Sequence, residues 1–162
     1  MNLGIFKRSK EIIINSPLRG EIKRVEDAPH EVFTSNVIGD GCAIEPTDGI
    51  IHAPVSSKVE IFKTNHLLIF EPKKGVYVVI HFGVGTSPLK GEGFTRLPKG
   101  ELKEVVVGDE LVSCDLDYIA SKAKSLMTPI IVSNDNVQSL ELLVKPGDLV
   151  EVGTPLMKVK VK

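Results

Sequence analysis

The chain has 162 residues, 42% of them hydrophobic and 25% charged, enough for one domain with a real hydrophobic core. Its 20 Lys and Arg against 21 Asp and Glu leave no basic excess, which argues against nucleic acid as a partner, because that needs clustered cations to release counterions from phosphates. No stretch approaches the roughly 18 consecutive apolar residues that would span a bilayer.

Taken in chain order, the opening "MNLGIFKRSKEIIINSP" has a basic patch but no apolar run of signal-peptide length and no small-residue cleavage site. Residues 1–15 are therefore expected to be a flexible segment ahead of a single domain over 16–162. The expected location is the cytoplasm. After that come short runs rich in Val and Ile, separated by Gly, Pro, Asp and Asn. They are "GEIKRV" (20–25), "SSKVEIF" (56–62), "HLLIF" (66–70), "GVYVVIHF" (75–82), "KEVVV" (103–107), "TPIIVSN" (128–134) and "PLMKVKV" (155–161). Regular short strands with turn signals between them predict an all-β fold, an antiparallel β-sandwich or flattened barrel. The one helical spacing is "DLDYIASKAKSL" (115–126), which predicts a turn or two of helix linking strands. Cys42 and Cys114, flanked by apolar residues and without CxxC spacing, read as buried thiols.

An internal echo points to duplicated, hybrid-motif β architecture. "SPLRGEIKRV", "APVSSKVEIF" and "TPIIVS" share a small residue, Pro and an aliphatic; "VVVGDELV" and "VKPGDLVEVG" share an aliphatic run followed by Gly-Asp. Gly tolerates positive φ and Asp bonds nearby backbone groups, so each Gly-Asp predicts a turn.

The chemistry concentrates in "TNHLLIFEPKKGVYVVIHFGVGT" (64–86), which holds two of the four histidines. If Pro72-Lys73-Lys74-Gly75 makes the hairpin turn, His66 falls directly opposite His81, with Cβ atoms about 4.5–5.5 Å apart. A bulge would shift the pairing by one residue. In this register His66, Leu68 and Phe70 share a face with Tyr77, Val79 and His81. The all-aliphatic face of Leu67, Ile69, Val76, Val78 and Ile80 is then core, and the histidine face an apolar docking surface. A lone histidine in a strand is ordinarily a satisfied structural residue; two opposed across a hairpin call for chemistry. One neutral imidazole can act as nucleophile while its neighbour donates a hydrogen bond to an anion on the first, an arrangement suited to phosphoryl transfer. Thr64 points the same way as His66 and is placed to fix its tautomer. A zinc site is the rival. Two histidines fall short of a tetrahedral set, so no intrinsic metal is expected, and His66 and His81 would bind one only with a partner's carboxylate.

These residues also carry a family resemblance. "GVYVVIHFGVGT" resembles the signature around the phosphorylated histidine of glucose-type IIA domains of the bacterial phosphoenolpyruvate:sugar phosphotransferase system. "IGDGCAIEPTDG" (38–49), "HAPV" (52–55), "TNH" (64–66), "LKGEGF" (89–94) and the stretch 126–134 match in order, so the resemblance runs from about Ser16 to the C-terminus. It implies a cytoplasmic, monomeric phosphotransferase component without a cofactor. Such a component takes a phosphoryl group from phospho-HPr, passes it to the IIB domain of a sugar permease, and also meets regulatory partners. By position His81 is the phosphorylated nucleophile, His66 the phosphoryl stabiliser and Thr64 the residue that orients it. Phe33, Val37, Ile38, Ile44, Phe62, Leu68 and Val79 match the surface that receives HPr and IIB. The chain departs from the pattern at Gly85 and Ser87, where the family usually has Asp and an aliphatic, so one contact to a partner's cation is missing. A biotinyl or lipoyl carrier is the rival reading, because "KPGDLVEVGTPLMKV" (145–159) resembles its C-terminal half. Its "MK", Met157-Lys158, falls within a strand pattern rather than on a hairpin tip.

Overall fold

The expected strands form, and every pairing among the described residues is antiparallel. The computed structural model describes residues 10–28, 39–133 and 135–162. The first half of the chain supplies β1 (Glu11–Asn15), β2 (Gly20–Lys23), β3 (Gly39–Pro46), β4 (Ile50–His52), β5 (Ser57–Ile61), β6 (Leu67–Lys73) and β7 (Val76–His81). The second half supplies β8 (Phe94–Arg96), β9 (Glu104–Val105), β10 (Glu110–Cys114), α1 (Leu116–Lys122), β11 (Thr128–Ser133), β12 (Val137–Leu142), β13 (Leu149–Val150) and β14 (Pro155–Val161).

One large sheet runs in the order β13-β2-β3-β11-β7-β6-β5-β9, and two small ones, β1-β14-β12 and β4-β10-β8, pack against it. Among the described residues the sheets do not close into a barrel. Ile14, Ile22, Ile44, Phe70, Ile80, Leu111 and Val132 belong to one continuous buried cluster between the sheets. Cys42 and Cys114 are both buried, and burial pushes the Cys42 thiol up to about 12. The helix runs for about two turns, as its spacing suggests. Asp115 caps it by accepting from the Tyr118 N–H at 3.1 Å, and Ile119 is the residue it buries.

The duplication is real. β1 pairs with β14 as β4 pairs with β10; β2 pairs with β13 as β5 pairs with β9; and β2 pairs with β3 as β5 pairs with β6. Ser16 exchanges backbone bonds with Gly153 and Thr154, and Ala53 does the same with Gly108 and Asp109. The halves then join reciprocally, Asn15 N–H to the Pro54 carbonyl at 2.8 Å and His52 N–H to the Pro17 carbonyl at 2.9 Å. Both Gly-Asp pairs make turns, with Asp109 and Asp148 accepting from the Val106 and Lys145 N–H groups at 2.9 Å. The spatial counterpart of Gly108-Asp109 is nevertheless Gly153-Thr154, where the Thr154 hydroxyl accepts from Glu151 N–H at 3.1 Å. A hydroxyl does there what a carboxylate does in the other half, which is why the written echo picks the wrong partner.

Two expectations are corrected. Residues 11–15, assigned to the flexible segment 1–15, form β1 and pair along β14, because Ile14 alternates into the core. The hairpin register also differs: Leu67, not His66, lies opposite His81, and Leu68, Ile69 and Phe70 lie opposite Ile80, Val79 and Val78. The cause is a bulge between Phe70 and Lys73 that leaves Lys74-Gly75 as the turn, with Gly75 at φ 79. Pro72 sits in that bulge, where its missing N–H breaks no ladder bond. A one-residue slip exchanges the faces of one strand. Val76, Val78 and Ile80 are core as expected, but on β6 the core residues are Leu68 and Phe70, while Leu67 and Ile69 face out. Lys158 lies in the middle of β14, opposite Ile13 on one side and Glu141 on the other. It is not on a hairpin tip, so the carrier-domain reading loses its attachment point.

Candidate active site

His81 closes β7, and its setting begins with the loop that follows. Gly83 turns the backbone at φ 73, a conformation that L side chains rarely adopt, and a Cβ there would meet Thr86 Cγ2 at 2.8 Å and the Ser125 carbonyl oxygen at 3.0 Å. Two buried hydroxyls fasten this loop. Thr128 Oγ1 accepts from Gly83 N–H at 3.1 Å, and Thr86 Oγ1 donates to the Phe82 carbonyl at 2.8 Å. The loop is thereby folded back so that the Gly83 carbonyl lies 2.8 Å from Nδ1 of His81. A carbonyl only accepts, so Nδ1 carries the proton and Nε2 keeps its lone pair.

His66 stands one residue before β6, in the turn rather than in the strand, and its carbonyl accepts from Phe82 N–H at 2.7 Å. Thr64 Oγ1 lies 2.7 Å from its Nδ1, as the sequence suggests. The imidazoles of His66 and His81 meet edge to face with centroids 5.0 Å apart and planes at 83°. The register slip therefore does not separate them, because the turn carries His66 off the strand path and back toward His81. Phe94 backs the pair, its ring centroid 6.4 Å from His66 and 5.7 Å from Phe82.

Burial sets the protonation of both rings. His66 is only 6% exposed, and burial first, then the neighbouring His81, lower its pKa to about 4, against a smaller opposing pull from Thr64. The half-buried His81 is also lowered, chiefly by burial and partly offset by its bond to Gly83. Both rings are neutral at pH 7. Beside His81 opens a half-open hollow of ≈ 480 Å³, whose lining includes Gly85, Ser87, Lys122 and Lys124. Gly85 takes φ 74, so the glycine that departs from the usual Asp also relieves a backbone position unfavourable to any side chain. Among the described residues no group of three or more His, Cys, Asp or Glu is gathered to hold a metal ion.

The docking residues divide. Phe33, Val37 and Ile38 lie outside the described residues. Phe62 is 41% exposed in the turn beside His66. Ile44 and Leu68 are at 0% and belong to the core; both are corrected, Leu68 because of the register slip and Ile44 because its strand face turns inward. Val79 lies on the outward face next to Ile69 but is only 8% exposed. The outward positions on β6 are Leu67 and Ile69. Sequence reasoning missed the Gly83 carbonyl and Phe94. Phe94 stands in a matched motif, "LKGEGF" (89–94), that carries no nucleophile to draw notice.

Residues 12–138 match the model of the family described as phosphoenolpyruvate-dependent sugar phosphotransferase system, EIIA 1. A glucose-specific EIIA component of Haemophilus influenzae is 42% identical over 147 residues, covering 90% of this chain and 87% of that one. An N-acetylglucosamine-specific EIICBA component of Klebsiella pneumoniae is 37% identical over 148 residues, and there the chain spans only 23% of the relative's length. The solved glucose permease IIA from Mycoplasma capricolum superposes with a TM-score of 0.81 at 36% identity, covering 93% of this chain and 96% of that one. None of these relatives is a biotinyl or lipoyl carrier. This chain belongs to the EIIA type 1 family of the phosphoenolpyruvate-dependent sugar phosphotransferase system.

Proposed function

We propose that the protein is a phosphoryl carrier that works through a phosphohistidine at His81. The observation that carries this reading is the bond from Nδ1 of His81 to the Gly83 carbonyl, which leaves the lone pair of Nε2 available beside a second imidazole. That lone pair attacks phosphorus on phospho-HPr. A bond forms from Nε2 to phosphorus, the bond from phosphorus to the donor breaks, and its electron pair returns to HPr. The ring keeps its proton on Nδ1, so the positive charge it acquires faces the carbonyl dipole of Gly83. The return step, in which a IIB domain attacks the same phosphorus, releases His81 as neutral imidazole.

His66 acts as the neutral stabiliser. With the Thr64 hydroxyl donating to Nδ1, Nε2 carries the hydrogen and donates it to a phosphoryl oxygen, where fixed donors contribute most to this chemistry. Lys122 and Lys124 line the hollow next to His81 and add positive potential there. Phosphorylation adds about −1.5 to −2 charge to a docking face that includes Phe62, so regulatory partners that bind the unmodified face are released when His81 is modified. The reading places the chain in the cytoplasm as a monomer; separately, among the described residues no helix is long and apolar enough to cross a membrane.

The test is incubation with phosphoenolpyruvate, the general phosphotransferase enzyme and HPr, followed by mapping of the label. Acid-labile, base-stable label on His81, absent from His81→Ala, is the expected result. Label that persists in His81→Ala overturns the reading.

A further inference from the structure

The turn that presents His66 is held from a different sheet. Arg96 ends β8, a strand of the β4-β10-β8 sheet, yet its guanidinium reaches the turn between β5 and β6. Nε donates to Asn65 Oδ1 at 2.8 Å, and Nη2 donates to the carbonyls of Phe62 at 2.8 Å and Ile61 at 3.2 Å. The Phe62 carbonyl also accepts Asn65 N–H at 2.7 Å, which closes the turn.

Asn65 sits at φ 61, left-handed backbone that asparagine adopts more readily than other residues with a side chain. The neighbours on either side of Asn65 are Thr64 and His66, the two residues joined by the 2.7 Å bond from hydroxyl to imidazole. A rotation of this turn would move both together and swing the His66 ring away from His81. Gly100 is buried beside the arginine, and a Cβ there would run first into the Leu111 carbonyl oxygen and then lie 2.8 Å from Arg96 Cγ. The acidity of His66 is set by burial, His81 and Thr64, so Arg96 bears on where the ring is rather than on its charge.

We infer that Arg96 is a positioning residue for phosphoryl transfer: by gripping Asn65 and the carbonyls of Ile61 and Phe62, it holds the turn so that His66 meets the phosphoryl group on His81. The inference rests on the reading of His81 as the phosphoryl carrier. Lysine is no substitute, because an ammonium cannot reproduce a planar fork aimed at three acceptors.

The experiment compares wild type, Arg96→Lys and Asn65→Gly in three measurements: label uptake on His81, onward transfer to a permease IIB domain, and the 15N–1H NMR signals of the His66 ring. Uptake is expected within about twofold of wild type, whereas onward transfer by Arg96→Lys falls roughly tenfold to a hundredfold, the scale of a small misplacement of a catalytic group. The His66 ring signals should move from a single tautomer toward a mixture. In a His66→Gln background Arg96→Lys should cost less than about twofold more, since both changes act through one group. Asn65→Gly tolerates the positive φ and deletes only the acceptor of Nε, so it should show the same pattern at smaller size, and it decides the matter if Arg96→Lys does not fold. Unchanged ring signals with unchanged onward transfer overturn the inference, as does an undiminished loss in the His66→Gln background. Should wild type itself take no label on His81, the carrier reading fails, while the ring signals of the unmodified protein still decide whether Arg96 positions His66.

Discussion

The end of β7 and the turn before β6 each hold an imidazole by Nδ1, and they hold it differently. At His81 the partner is the Gly83 carbonyl, which can only accept; at His66 it is the Thr64 hydroxyl, which can donate or accept. The first bond imposes one tautomer on the neutral ring and, in the proposed phosphohistidine, would steady the charge that phosphorylation creates. The second can follow the proton of its partner. In the proposed mechanism two identical side chains become a nucleophile of fixed tautomer and an adaptable donor, through the choice of a backbone carbonyl or a side-chain hydroxyl as the partner of Nδ1.

The largest expected effect concerns burial at His66. Its folded-state pKa near 4 lies below the ordinary histidine value of 6.5, so between those values the unfolded chain binds more protons than the folded one. Its contribution to stability is complete above pH 6.5 and is lost as pH falls toward 4, by on the order of 3 kcal/mol. Urea unfolding of wild type and His66→Gln at pH 7 and pH 4 should show a smaller drop in the variant; equal drops would contradict the buried, neutral His66. Next in size, His66→Gln should still take label on His81 but pass it to IIB roughly a hundredfold more slowly, the usual cost of losing a stabilising donor. This is read from single-turnover chase of the phosphoprotein.

Gly83→Ala attacks the His81 side. It places a Cβ against Thr86 and the Ser125 carbonyl on a positive-φ backbone, and should cost about 2 kcal/mol of unfolding free energy while releasing Nδ1 of His81 from its carbonyl, seen as tautomer exchange by NMR. Thr64→Val attacks the other side and should be milder. It removes one neutral hydrogen bond, so onward transfer should slow about fivefold to tenfold while label uptake stays near wild type. If Thr64→Val proved more damaging than Gly83→Ala, the contrast between a fixed and an adaptable anchor would be wrong.

The hairpin shows how far a sequence reads without its fold. Alternation, a Pro–Gly turn region and two histidines near the ends of adjacent apolar runs brought the rings together through a register that is one residue off, and it is the turn before β6 that makes them meet; the matched motifs were enough to name the family. The β class, the Gly-Asp turns, the short helix and the buried thiols follow from local patterns that need no partner strand. Duplication is also written locally, although Gly153-Thr154 hides its match to Gly108-Asp109 because hydroxyl and carboxylate can cap the same turn.

What only the tertiary structure decided begins with register. β6 is apolar on both faces, so its alternation could not say whether Leu68 and Phe70 or Leu67 and Ile69 are core, and the bulge at Glu71 and Pro72 settled it in favour of the first pair. The same lack of contrast put Leu68 on the docking face, whereas Ile44 was placed there by the family resemblance alone. From another sheet, about thirty residues along the chain, Arg96 reaches the turn before His66 and Phe94 reaches the His66 ring, and no local pattern records so distant an approach. Periodicity reports whether a side chain can be buried; only packing decides against what.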